Sequence, residues 1–142
     1  MTIIYSHGNA SDLSSGLSYL LDFMKVRNVN IIVYDYTGYG VSEIRKSSEE
    51  SICRDLEAVL KWTNVPLSNI ILWGFSLGTV PTISVGAKYE VGGVILQSPL
   101  ASVSTFLDDS EEEIDSNPYD TDSFSNLENI HKINVPIIIF HS

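Results

Sequence analysis

Apolar residues fall along this chain in two alternating kinds of run. Five runs are short and continuous: TIIYS at 2–6, NIIVYDY at 30–36, NIILW at 69–73, GGVILQS at 92–98 and VPIIIF at 135–140. Continuity, rather than alternation, marks strands buried on both faces, as in a parallel sheet. Between these runs apolar positions recur at helical spacing. Residues 12–26 place Leu13, Leu17, Leu20, Leu21 and Met24 on one face, with Ser11 or Asp12 to cap the start. Residues 48–62 place Ile52, Leu56, Val59 and Leu60 on one face, and Ser47-Ser48-Glu49-Glu50 has capping-box spacing. A third helix is predicted over 77–88, with Pro81 in or near its first turn, and a short one over 125–132.

This order predicts an α/β three-layer sandwich with a mostly parallel five-stranded sheet, in one domain over residues 1–142. There is no internal repeat. Residues 100–124 break the rhythm with a Ser- and acid-rich stretch that follows a strand end. They read as a cap-like insertion above the carboxyl edge of the sheet, where ligands bind in such folds.

Charge sharpens that picture. The net charge of −10 is local, because eight of the 18 acidic residues lie between Asp108 and Asp122. The rest of the chain is close to neutral and resembles no phosphate-binding surface, so no nucleic-acid partner is expected. The acidic stretch DSNPYDTD lacks the ligand spacing and the glycine of a calcium loop, and no metal or cofactor is predicted. No apolar run approaches the ~20 residues of a membrane-spanning helix. Met1-Thr2-Ile3 leads straight into a strand, without the form of a secretory signal. The single cysteine, Cys53, has no internal disulfide partner, which fits a reducing compartment.

Candidate chemistry sits at three strand ends. Gly74-Phe75-Ser76-Leu77-Gly78 matches G-x-S-x-G between a predicted strand and a predicted helix. A tight strand-to-helix turn lifts Ser76 above the sheet edge and crowds its neighbours two residues away, so both must be small. The Leu77 N–H then points where an oxyanion would form. YSHGNASDL, Tyr5 to Leu13, places His-Gly after the first strand, with Asn9 as a second backbone donor. His7 suits a hydrogen bond to loop backbone better than a role as base. YDYTGYGVS, Tyr34 to Ser42, forms a glycine-rich turn without the ending of a phosphate loop. Asp35 there suits bonding of loop N–H groups better than the part of a triad acid.

The blocks SHGNASDL, YDYTGYGVS, GFSLGTVPT and VILQSPLAS together resemble the α/β-hydrolase superfamily. Within it they resemble the intracellular α/β-hydrolase-domain group that includes protein depalmitoylases, with Bem46-like hydrolases next. The resemblance implies a partial α/β-hydrolase fold and a serine hydrolase acting on acyl esters or thioesters, those of acylated proteins among them. By that resemblance Ser76 corresponds to the nucleophile, Asn9 and Leu77 to the oxyanion donors, and Pro99 to a Ser-Pro turn. It also implies a strand order of second, first, third, fourth, fifth. Strands 30–36 and 135–140 are then edges, and self-association through them is expected.

Chain order in this fold is Ser, then Asp or Glu, then His. The resemblance makes His141 a strand-end residue rather than the base. It leaves the acid and base absent and the chain short at both ends, so the 142 residues alone are expected to be inert. The competing expectation is a non-catalytic hydrolase fold that binds acyl ligands or a protein partner. Location is expected to be cytoplasmic or at the cytosolic face of membranes, with an anchor upstream of Met1 left open.

Overall fold

A computed structural model describes residues 1–9, 11–42, 45–101 and 126–141. The predicted cap-like insertion lies almost wholly outside the described residues. Five parallel strands form one sheet: β1 (Thr2–Ser6), β2 (Asn30–Val33), β3 (Ile70–Phe75), β4 (Gly93–Gln97) and β5 (Ile137–Phe140). Their order is β2-β1-β3-β4-β5, as the resemblance implied. Helices α1 (Leu17–Arg27), α2 (Glu49–Trp62), α3 (Thr79–Gly86) and α4 (Asn126–Asn129) complete the layers. Among the described residues no helix is long and apolar enough to cross a membrane.

The central strands β1, β3 and β4 are apolar on both faces because both of their faces are covered. Ile4, Ile70, Leu72, Val94 and Leu96 face α2 and α3, where Ile52, Leu56, Leu60, Val80, Ile83 and Val85 complete the main core. Ile3 and Trp73 face the other way, against Leu20 of α1. Trp73 sits at the centre of an aromatic group, edge-on to Tyr5 at 5.3 Å and Phe23 at 5.4 Å. The sheet is less well covered towards β5, where Ile138 pairs in register with Ile95 and is 61% exposed.

Several boundaries differ from the sequence expectation, each for a local reason. Helix α1 begins at Leu17 rather than residue 12. Asp12 Oδ1 instead gathers the N–H and hydroxyl groups of Ser14 and Ser15 into a turn, at 2.6–3.0 Å. Short polar side chains that bond nearby backbone compete with helix in this way. The helix contacts the sheet chiefly through Leu20 and Phe23, while Leu13, Leu17 and Leu21 stay exposed. The capping box of α2 runs between Ser48 and Ser51, whose hydroxyls take each other's N–H at 3.1 and 2.9 Å. Glu50 stands one position too early to close it. Strand β2 stops at Val33, opposite Tyr5, instead of continuing to Tyr36. The expected third helix divides into a 3-10 turn over Ser76–Gly78 and α3.

Leu56 is fully buried on α2. Leu56→Ala is expected to lower unfolding free energy by about 2–5 kcal/mol in chemical denaturation. Val26→Ala, on the exposed side of α1, should stay within about 0.5 kcal/mol of the parent.

Candidate active site

Strand β3 ends at Phe75 and α3 begins at Thr79, so Ser76, Leu77 and Gly78 must reverse the chain in three residues. Ser76 takes φ 50°, the left-handed region that a residue with a side chain adopts only under constraint. It is half-buried at the carboxyl edge of the sheet. Its carbonyl accepts the Thr79 hydroxyl at 2.6 Å, which ties the turn to the first residue of α3.

The demand for small neighbours is steric and specific. A methyl group on Gly74 would meet the Gly78 carbonyl oxygen and lie 2.7 Å from the Thr79 Cα. On Gly78 it would meet the Ser6 carbonyl oxygen and lie 2.8 Å from that of His7. The first turn above Ser76 is therefore pressed flat onto the end of β1, where the His-Gly loop begins. The loop in turn borders the serine, because a methyl on Gly8 would stand 3.7 Å from Ser76 Cβ and 3.2 Å from the Phe75 ring. Leu77, buried at the second position of the 3-10 turn, presents an N–H of the kind that has no partner within its own turn.

His7 is buried and turned towards its own loop. Its Nδ1 lies 2.9 Å from the Gly8 carbonyl and its Nε2 lies 3.5 Å from Asp35 Oδ1. The latter distance is an electrostatic contact rather than a well-formed hydrogen bond, and Nε2 has no other polar partner among the described residues. Asp35 Oδ1 also accepts the Leu13 N–H at 2.7 Å, so this carboxylate organises loops as expected. His131 is exposed in a 3-10 turn before β5, and His141 is exposed just after that strand.

The glycine-rich turn after β2 has a part that the sequence pattern did not reveal. Tyr36, fully buried, donates its hydroxyl to the His7 carbonyl at 2.7 Å. Tyr39 donates to Asn9 Oδ1 at 2.6 Å. Tyr34 meets the Ser6 hydroxyl at 2.8 Å. Burial raises the pKa values of Tyr34 and Tyr36 well above the ordinary phenol range, so both keep their protons. The available signal was the i, i+2 tyrosine spacing before a turn, which by itself does not distinguish core packing from loop support. Among the described residues no group of three or more His, Cys, Asp or Glu could hold a metal ion.

Gly78→Ala should destabilise the protein by about 1–3 kcal/mol or more, because the clash is with backbone, which cannot swing aside. Thermal and chemical denaturation would measure it. A second outcome concerns the Asp12 carboxyl, held down to about 2, first by the Ser14 hydroxyl, then by the Ser15 hydroxyl and the local N–H groups. The folded pKa is below the unfolded ~3.9. Its stabilisation is thus complete above the unfolded value and lost as pH falls through about 2. A carbon-detected NMR titration should find that midpoint, and Ser14→Ala should raise it.

No protein-family model matches the chain. Its sequence is 39% identical over 147 aligned residues to the alpha/beta hydrolase domain-containing protein 17C of Xenopus tropicalis, covering 99% of this chain and 45% of that protein. The human alpha/beta hydrolase domain-containing protein 17B is 37% identical with similar coverage. The chain thus spans under half the length of the curated relatives it matches. A solved Pyrococcus furiosus esterase superposes with a TM-score of 0.77 at 19% identity, over 97% of this chain and 60% of that one. At that identity the likeness shows the fold alone. Five parallel strands in this order, a serine turn built on paired glycines and a loop-borne His-Gly pair make this chain a partial α/β-hydrolase fold, similar in sequence to the alpha/beta hydrolase domain-containing proteins 17B and 17C.

Proposed function

We propose that this chain carries the nucleophile and oxyanion site of a serine hydrolase for acyl esters or thioesters, including those of acylated proteins. The observation that carries this reading is the strained Ser76 turn, with Gly78 seated on the backbone of Ser6 and His7. That contact brings the turn carrying Leu77 against the loop carrying Asn9, which supports reading their amides as the oxyanion donors. Ser76 Oγ attacks the acyl carbon, and the carbonyl oxygen gains negative charge. The two N–H groups receive that charge in a site already oriented for it, and removal of one such donor typically costs 10²–10³ in rate. Collapse of the tetrahedral adduct expels the alcohol or thiol, and water then releases the acid.

No described residue is assigned the base. The nitrogens of His7 face Gly8 and Asp35, which commits the ring to its loop. On this proposal the 142 residues alone turn over esters negligibly, since an unassisted serine hydroxyl is a weak nucleophile. The same engagement of His7 favours a second reading, in which the fold binds an acyl chain or a protein partner without turnover.

A fluorophosphonate probe separates the two in the protein expressed from its whole coding sequence. Attack by Ser76 Oγ forms an O–P bond and breaks the P–F bond, releasing fluoride and the hydroxyl proton. Labelling mapped to Ser76 by mass spectrometry, and abolished in Ser76→Ala, is the expected result. An unlabelled Ser76 in a correctly folded protein would sink the hydrolase reading and leave the binding one.

A further inference from the structure

We infer that Tyr39 is a positioning residue for the candidate oxyanion loop, acting through Asn9; this rests on the reading of Asn9 as an oxyanion donor. Asn9 is exposed at the end of the His-Gly loop, where a backbone amide has little packing to hold it. Its side chain nonetheless has a fixed partner, the Tyr39 hydroxyl 2.6 Å away. A hydrogen bond from the neighbouring turn thus substitutes for the missing packing.

Tyr39 is itself well held. Its ring stands edge-on to Tyr36 at 5.4 Å and against His7 at 5.5 Å. Its N–H donates to the Tyr36 carbonyl at 2.9 Å, closing the turn. Tyr36 in turn holds the His7 carbonyl, and the His7 ring packs on Tyr36 at 4.3 Å. Two hydroxyls from one turn therefore grip the two ends of the three-residue segment His7-Gly8-Asn9. The buried Tyr36 bond fixes where the segment leaves β1, and the Tyr39 bond fixes where it ends. Gly8, between them, is the residue against Ser76. With both ends tied, the Asn9 amide keeps one direction relative to the serine; with only the first tied, it is free to turn about Gly8.

Such preorganisation acts on developing charge and not on ground-state binding. Tyr39→Phe removes one oxygen and leaves the aromatic contacts, so it isolates this bond. In the protein expressed from its whole coding sequence, the order parameter of the Asn9 amide in ¹⁵N relaxation should fall from that of rigid backbone, ~0.85, towards the mobile range below ~0.6, with Tyr36 unchanged. Fluorophosphonate labelling of Ser76 should slow by about tenfold, short of the loss expected when a donor is removed outright. Asn9→Ala deletes the acceptor from the other side and should reproduce both effects. The double variant should then be no slower than either single one, since the two changes break one interaction.

A backbone amide at position 9 as ordered in Tyr39→Phe and in Asn9→Ala as in the parent would overturn the inference. So would unchanged labelling in both variants. If the parent protein is itself unlabelled, the hydrolase reading falls on that result alone, and the order parameters still decide whether Tyr39 fixes the loop. Should Tyr39→Phe fail to fold, Asn9→Ala carries both measurements.

Discussion

Backbone contact between Gly78 and the end of β1 is the constraint from which the geometry of the site follows. No side chain intervenes there: Gly78 sits against the Ser6 and His7 carbonyls with no room between them for a Cβ. Three consequences come together. The helix that follows Ser76 starts directly above the sheet edge. The amide-bearing turn after β3 and the loop after β1 become neighbours although they are some seventy residues apart in sequence. And Ser76, caught between a strand that cannot move and a helix that cannot lift, is left with a left-handed backbone. A conformation of that kind costs of order 1–3 kcal/mol and persists only where surrounding structure over-determines it.

The surroundings do over-determine it. On one side β3 is locked between β1 and β4, with Ser6 paired to Gly74 and Phe75 to Gln97. On the other, every residue of α3 from Thr79 to Gly86 is buried, so the helix cannot shift without exposing its whole surface. The Thr79 hydroxyl joins the two sides through the Ser76 carbonyl and reaches on to the Leu100 amide at 3.4 Å. Asn126, also buried, holds the Leu100 carbonyl at 2.7 Å. The end of β4 is thereby attached to both α3 and α4. Rigidity around the serine is spread over several elements rather than resting on one contact.

Much of this is legible in the sequence, and the rest is hidden for identifiable reasons. Unbroken apolar runs such as NIILW announce strands covered on both faces, and their alternation with helical periodicity announces parallel direction. The glycine pair around Ser76 is legible because backbone crowding leaves no other residue. Side-chain bonds between distant segments are not legible in this way. Nothing in YDYTGYG says that Tyr36 reaches His7 or that Tyr39 reaches Asn9, because those contacts depend on how two loops are laid side by side. Polar runs mislead for the opposite reason. Asp12 reads as a helix cap, yet it gathers the hydroxyls of Ser14 and Ser15 into a turn and the helix starts only at Leu17.

The two faces of the sheet are secured unequally, and this bears on how the site is insulated. The face under α2 and α3 holds the larger cluster and the elbow's helix. The other face has α1, which buries Leu20 alone among its residues, and the aromatic group around Trp73. Towards β5 both faces become exposed, at Ile138 beside Ile95 and at Ile139 beside Leu96. Stability within a fold is distributed according to buried apolar contact, and regions poor in it open first. The serine turn draws on the well-packed layer through α3, and on β1, β3 and β4, whose mutual pairing is central in the sheet. Its two supporting loops draw on buried tyrosines and on Asp35 rather than on α1 or β5. Local opening at the less covered edge can therefore occur without displacing the groups around Ser76. The strained geometry depends on the part of the molecule best able to sustain it.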